Sequence, residues 1–344
     1  MSSVQDLTPF FGESCVLRGE KRLYNGFEVM IMKHMLLIAG GGTLGLYAAK
    51  ELLAQGCAVD IVCLEEHTSD NPNLSFFVQR ITEESLPEFL EGRHYDGIIN
   101  FIHYKDHRVF IRAYPLLMAH TEHLIFLSSY RVYADEQHPI TESAPRLLDV
   151  VKDPEFLERE DYALPKARCE DFLRNECAGQ NWTIVRPVIS FSSLRLDFYM
   201  YSKTLMPERA KAGIPVIMPE RAKGLTAGLD WAGNSGKLIA RLLLNEETIG
   251  KTYTISSGWN LTWEEVGKIY TELTGVEIRW GSEEAFLKEI HTERYGTCCG
   301  YYYDRRFDRA VDATAVLEAT GLTREELTPI REGLRIELKK LNYL

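Results

Sequence analysis

Residues 36–53 read LLIAGGGTLGLYAAKELL, and this stretch limits the possible folds more than any other. "MLLIA" (35–39) is short, wholly apolar and without alternation, so it reads as a strand buried on both faces. Gly40, Gly42 and Gly45 follow at G-x-G-x-x-G spacing, and "LGLYAAKELLAQG" (44–56) has helical periodicity ending at Gly56. The same rhythm continues. Strands are predicted at 58–64, 75–79, 95–102, 123–129 and 182–189, with helices over "SLPEFLEG", "RVFIRAYPLLMAHT" and 162–176 between them. Pro115 is expected to kink or end the second of these helices. Unalternating strands separated by helices imply an α/β chain with a doubly wound parallel sheet covered on both faces.

A glycine turn between strand and helix lets the backbone approach a phosphate closely, and the helix N-terminus supplies unpaired N–H groups. The loop residues Gly40, Gly42, Thr43, Leu44 and Gly45 are therefore candidates for binding a dinucleotide. The bland alternative is a glycine-rich turn in some other α/β protein. Glu65 lies 20 residues past Gly45, where an acidic side chain reads the ribose, with Glu66 beside it. No Lys or Arg occurs from 51 to 79, so nothing in that window pairs with a 2′-phosphate. NAD is expected over NADP.

Beyond about residue 190 the pattern loosens. A proline-containing segment leads to a helix near 232–244, a strand "KTYTISS", and a helix with Thr262 and Glu265 as a capping box, ending at Gly275. "VEIRW" reads as a strand and 324–341 as a charged helix. The expected division is an N-terminal extension (1–33), a nucleotide-binding domain (34–190) and a smaller α/β lobe (191–344). A helix and strand near 226–257 are expected to return to the first domain. The net charge of -11 over 344 residues argues against a grip on nucleic acid or an anionic membrane. Seven cysteines without a C-x-x-C pair suit a reduced, cytoplasmic setting.

A strand that ends in two serines, "IFLSSYRVY", precedes Tyr162-x-x-x-Lys166 by about thirty residues, and i,i+4 spacing puts that pair on one helix face. With the glycine loop, "SSYRVY" and "IVRPVI" in the same order, residues 34–343 resemble the extended short-chain dehydrogenase/reductases, the NAD-dependent epimerase/dehydratase family. The resemblance implies a Rossmann-type doubly wound parallel sheet with a smaller, partly interleaved C-terminal α/β substrate lobe. It implies Tyr162 as acid/base, Ser129 as the holder of the reacting oxygen, and Lys166 as the residue that favours the phenolate and bonds the nicotinamide ribose. Arg186, on the expected last strand of the sheet, joins the cofactor contacts. The substrate is expected to be a nucleotide sugar, its diphosphate met by Arg221, Arg294 or Arg305, with Arg306 nearby. A homodimer is implied as well.

The chain also departs from the family pattern. Ala39 replaces the first loop glycine, Ile102 and His103 follow the fourth strand where small residues are usual, and Gln79-Arg80 replaces an adenine-facing Asp. After Arg186-Pro187 comes "VISFSS". Tyr130 and Arg131 stand where the 4,6-dehydratases carry Asp and Glu, which argues for epimerisation or simple oxidoreduction rather than dehydration. Two other readings stay open: an NAD(P)H-dependent reductase of a non-sugar carbonyl, and a dinucleotide-binding protein without catalysis. No metal site is expected, since neither His103/His107 nor His120/His123 has an evident third ligand.

Overall fold

A computed structural model describes residues 5–7, 10, 20–24, 27–196, 198–201, 205–292 and 300–344. Seven strands form its main sheet: β1 (His34–Ile38), β2 (Ala58–Cys63), β3 (Leu74–Val78), β4 (Gly97–Asn100), β5 (Leu124–Leu127), β6 (Trp182–Pro187) and β7 (Thr252–Ile255). Their order is β3-β2-β1-β4-β5-β6-β7, and the pairings among β1 to β6 are all parallel. β7 therefore lies outside β6, so "IVRPVI" is not the last strand. The sheet is the doubly wound one expected. Leu36, Leu37, Ile38, Ile61, Val62, Ile98, Ile99, Leu124 and Ile125 are inaccessible to solvent. Burial of both sheet faces is the physical reason these segments lack polar alternation.

The helices between them are α1 (Thr43–Ala54), α2 (Ser85–Leu90), α3 (His107–Ala119), α4 (Ala163–Asn175) and α5 (Ala232–Leu243). α3 runs through Pro115, so the proline does not mark a helix boundary. Asp106 caps its start by accepting from Arg108 N at 2.9 Å. Phe110, Tyr114 and Leu117 on one face are buried in the core, which offsets the single backbone bond that proline cannot make.

The chain falls into two compact units. The first comprises Met1–Ser128, Pro165–Arg186 and Gly236–Tyr253; the second comprises Ser129–Leu164, Pro187–Ser235 and Thr254–Leu344. In the first, Gln5–Asp6 pairs with His67–Thr68, and Glu20–Tyr24 forms a hairpin with Phe27–Ile31. In the second, Ile189–Phe191 pairs with Leu229–Trp231, and Val216–Pro219 with Ile278–Gly281. The helix Trp263–Thr274 begins at the expected box: Thr262 N donates to Glu265 at 2.8 Å, and Glu265 N donates to Thr262 Oγ1 at 3.3 Å. It ends at Gly275 with φ 76°. The expected helix 324–341 is a short turn (Arg324–Glu326) followed by Ile330–Lys340, because Pro329 starts a new helix.

No helix among the described residues is long and apolar enough to cross a membrane.

Candidate functional site

In the first unit the site is built around the turn after β1. A Cβ on Gly45 would sit 2.1 Å from the Gly40 carbonyl oxygen, so only glycine permits α1 to pack this closely on the strand. A Cβ on Gly42 would meet nothing within 4 Å. Gly42 is the N-cap of α1, no side chain caps the helix, and its first turn holds no acidic residue. The turn therefore presents the positive end of a twelve-residue helix with no side chain across it.

Ala39, at the position of the missing first glycine, has φ 56°. Left-handed backbone costs a residue with a Cβ roughly 1–2 kcal/mol. Replacing Ala39 by Gly is expected to raise the unfolding free energy by up to about 1 kcal/mol, part of the relief being offset by unfolded-state entropy. A urea titration checks this; a lower midpoint for Ala39→Gly would contradict the strain.

Beside the turn lies a cleft of about 310 Å³ lined by Ala39, Gly42, Glu65, Arg80, Ile102 and His103, among others. The expected ribose reader thus faces the cleft. So does Arg80, one residue beyond the window searched for a cation, so the exclusion of a 2′-phosphate partner no longer follows from sequence. Ile102 and His103 also line a neighbouring space of about 350 Å³ between the ends of β3 and β4. The turn after β4 is set by Asn100, whose side chain accepts from Ile102 N at 3.1 Å and donates to the Tyr104 hydroxyl at 2.8 Å.

Lys166, on α4, is 2% exposed, and its ammonium donates to the Leu127 carbonyl at 2.6 Å at the end of β5. Arg186 differs from the expectation of a cofactor contact. It is wholly buried and forms a two-pronged pair with Glu170, at 2.8 and 2.5 Å. Ser128 Oγ donates to the same carboxylate at 2.5 Å. Burial alone would raise Glu170, but the Arg186 guanidinium, with Arg174 and Ser128, holds it at about 2. A carboxylate carried into the core by α4 requires such a counterion, and Arg186 on β6 supplies it.

In the second unit, Ser129 and Tyr162 are joined through Arg131. Ser129, 6% exposed, accepts from Arg131 N at 3.2 Å and so caps a short helical turn. The Arg131 guanidinium lies 4.8 Å from the centre of the Tyr162 ring and 3.4 Å from Asp161. It also approaches Asp304 at 3.4 Å. Asp304 is buried, and Arg305 and Arg309 contact it too. Burial would raise its carboxyl, yet these cations hold it below the usual carboxylate range. Tyr130, whose hydroxyl donates to Asp304 at 3.1 Å, is pushed by burial up to about 12. Arg131 and Asp304 were not legible as site residues, since their meeting depends on chain 173 positions apart.

The expected diphosphate arginines fare differently. Arg305 pairs with Asp304 and donates to the Tyr199 carbonyl at 2.7 Å and the Tyr130 hydroxyl at 2.9 Å, so a buried carboxylate and the surrounding backbone claim it. Arg221 and Arg306 approach Glu283 at 3.8 and 3.7 Å. Arg294 lies outside the described residues, as do Cys298 and Cys299. The paired histidines have structural partners: His123 bonds the Leu243 carbonyl and Thr183 Oγ1 at 3.0 and 2.8 Å, and His120 bonds the Arg93 carbonyl at 2.7 Å. A different group, Cys63, Glu65 and His67, brings three ligand atoms within 4.8 Å of one another. The spacing carried no periodic signal, because the three meet across a bend at Leu64 and Glu65.

No protein-family model and no curated sequence matches the chain. Solved structures do. An epimerase of the methanogen Methanothermobacter thermautotrophicus superimposes with a TM-score of 0.67 at 14% identity, covering 90% of this chain and 92% of that one. UDP-glucose 4-epimerase of Thermus thermophilus, in complex with NAD, gives 0.63 at 19% identity, over 90% and 99%. ADP-L-glycero-D-manno-heptose-6-epimerase of Helicobacter pylori gives 0.65 at 11% identity, over 91% and 97%. At these identities the likeness is one of fold. The chain has the fold of the extended short-chain dehydrogenase/reductase epimerases.

Proposed function

We propose that the protein is an NAD-dependent epimerase, or a related oxidoreductase, acting on a hydroxyl-bearing nucleotide sugar. The observation that carries this reading is the turn after β1, where an open Gly42 meets an uncapped helix N-terminus beside a cleft holding Glu65. Those groups suit a dinucleotide: the N–H groups for its pyrophosphate and Glu65 for a ribose hydroxyl. When bound, NAD supplies a nicotinamide ring that exchanges a hydride with the alcohol carbon. Ser129 holds the reacting oxygen by a hydrogen bond. Tyr162 takes the hydroxyl proton and later returns it to the same oxygen, after the transient carbonyl compound has turned its other face. Lys166, fixed on the Leu127 carbonyl, brings an ammonium to the stretch of α4 that follows Tyr162. The same reading makes the protein a cytoplasmic homodimer.

The test pairs binding with turnover. NADH is expected to bind at least roughly tenfold more tightly than NADPH in a fluorescence titration, and a UDP-sugar panel with NAD should yield one epimerised product. Tighter NADPH binding, weakened by Arg80→Ala, would move the assignment to a carbonyl reductase. Tight NADH binding with no hydride exchange across the panel would leave a non-catalytic dinucleotide protein.

A further inference from the structure

Cys63 ends β2, the chain bends at Leu64 and Glu65, and His67 opens the next short strand, which brings the three side chains together. Pairing of His67–Thr68 with Gln5–Asp6 pins the third member in place. Cys63 is 4% exposed and His67 8%, whereas Glu65 reaches the surface. Both ring nitrogens of His67 are shut off from water, and the backbone of Gly41 in the glycine turn is the polar group that reaches the ring. The ring packs against Phe76, with centroids 5.1 Å apart. The glycine turn forms the floor: a Cβ on Gly41 would lie 2.7 Å from Cys63 Cβ, 2.8 Å from its Sγ and 3.0 Å from Glu65 Oε2.

We propose that Cys63, Glu65 and His67 form a binding site for a borderline transition-metal cation, Zn²⁺ by preference. Thiolate, imidazole and carboxylate together suit zinc rather than magnesium or calcium. The three ligand atoms lie within 4.8 Å of one another. Bonds of about 2.0–2.3 Å to one ion need them somewhat closer, and the exposed Glu65 arm closes the difference. A neutral imidazole offers a lone pair to a cation. An ordinary thiol is protonated at pH 7. Coordination therefore breaks the S–H bond, forms the S–Zn bond and releases one proton to solvent, with no change of oxidation state. Water completes the coordination. Glu65 is also the residue assigned to the ribose, so ion and dinucleotide exclude one another; that consequence alone rests on the proposed function.

The experiment is a calorimetric titration of the chelator-treated full chain with Zn²⁺ and no dinucleotide, repeated in buffers of different ionisation enthalpy. One ion per chain is expected, with about one proton released. His67→Ala should weaken binding at least about a hundredfold, and Cys177→Ser should leave it unchanged. With Co²⁺ as probe, a near-ultraviolet thiolate charge-transfer band should appear and vanish in Cys63→Ser, a readout that stands even if His67→Ala fails to fold. Absence of saturable binding overturns the site, as does a cobalt band that survives in Cys63→Ser. Because no dinucleotide is present, failure here leaves the cofactor assignment untouched.

Discussion

Tyr162→Phe is expected to lower kcat by roughly 10²–10⁴-fold on whichever sugar nucleotide the protein turns over, the range that a positioned acid/base supplies. The ring and its contact with the Arg131 guanidinium survive the substitution, so folding should not change. Nor should dinucleotide affinity, because the substitution leaves the glycine turn intact. Only the proton carrier goes. The measurement is steady-state kinetics of the variant beside a titration with NADH. Wild-type turnover would remove Tyr162 from the mechanism. A joint loss of turnover and cofactor binding would instead mean that the substitution disturbed the fold.

The second large effect concerns the core. Arg186→Met strands the Glu170 carboxylate in a site with no solvent exposure, and is expected to cost roughly 3–5 kcal/mol. The paired change Arg186→Met with Glu170→Met should recover most of it, since two apolar side chains need no counterion. The pH dependence separates the cases. In the wild type Glu170 is held at about 2, below its unfolded value of roughly 4.3. Its contribution is present above the unfolded value and is lost as pH falls toward 2. In Arg186→Met the buried carboxyl is raised instead, so that variant should gain on the wild type as pH falls through 5. Urea denaturation at pH 7 and pH 5 checks both statements. Equal losses at the two pH values would mean that packing, not charge, dominates the site.

How far the sequence reveals the molecule depends on the range of the interactions. Strand and helix positions were legible because burial on both sheet faces writes unbroken apolar runs, and the Thr262–Glu265 box because its partners are three residues apart. The proline in α3 does not end the helix, because local propensity is outweighed by tertiary packing of Phe110, Tyr114 and Leu117. The shape of the glycine turn was legible, since spacing alone fixes it. The side chains around it were not. Arg186 belongs to Glu170, sixteen residues back across a helix, and Arg305 to a neighbour whose burial no local pattern reveals. Arg80 escaped because contact with the cleft follows the path of the chain beyond β3 rather than a sequence window. His67 escaped because its burial depends on strand pairing with residues 5 and 6.

The three-part make-up of the first unit has a consequence for biosynthesis. Its third segment ends at Tyr253, so a nascent chain released at residue 190, although carrying the whole glycine turn and six strands, would present an open sheet edge and an uncovered Gly97 where Leu243 should pack. On the ribosome the seven-stranded sheet can close only after most of the polypeptide has emerged. Gene fragments that stop at residue 190 should be held by chaperones or precipitate, rather than fold as a small soluble domain.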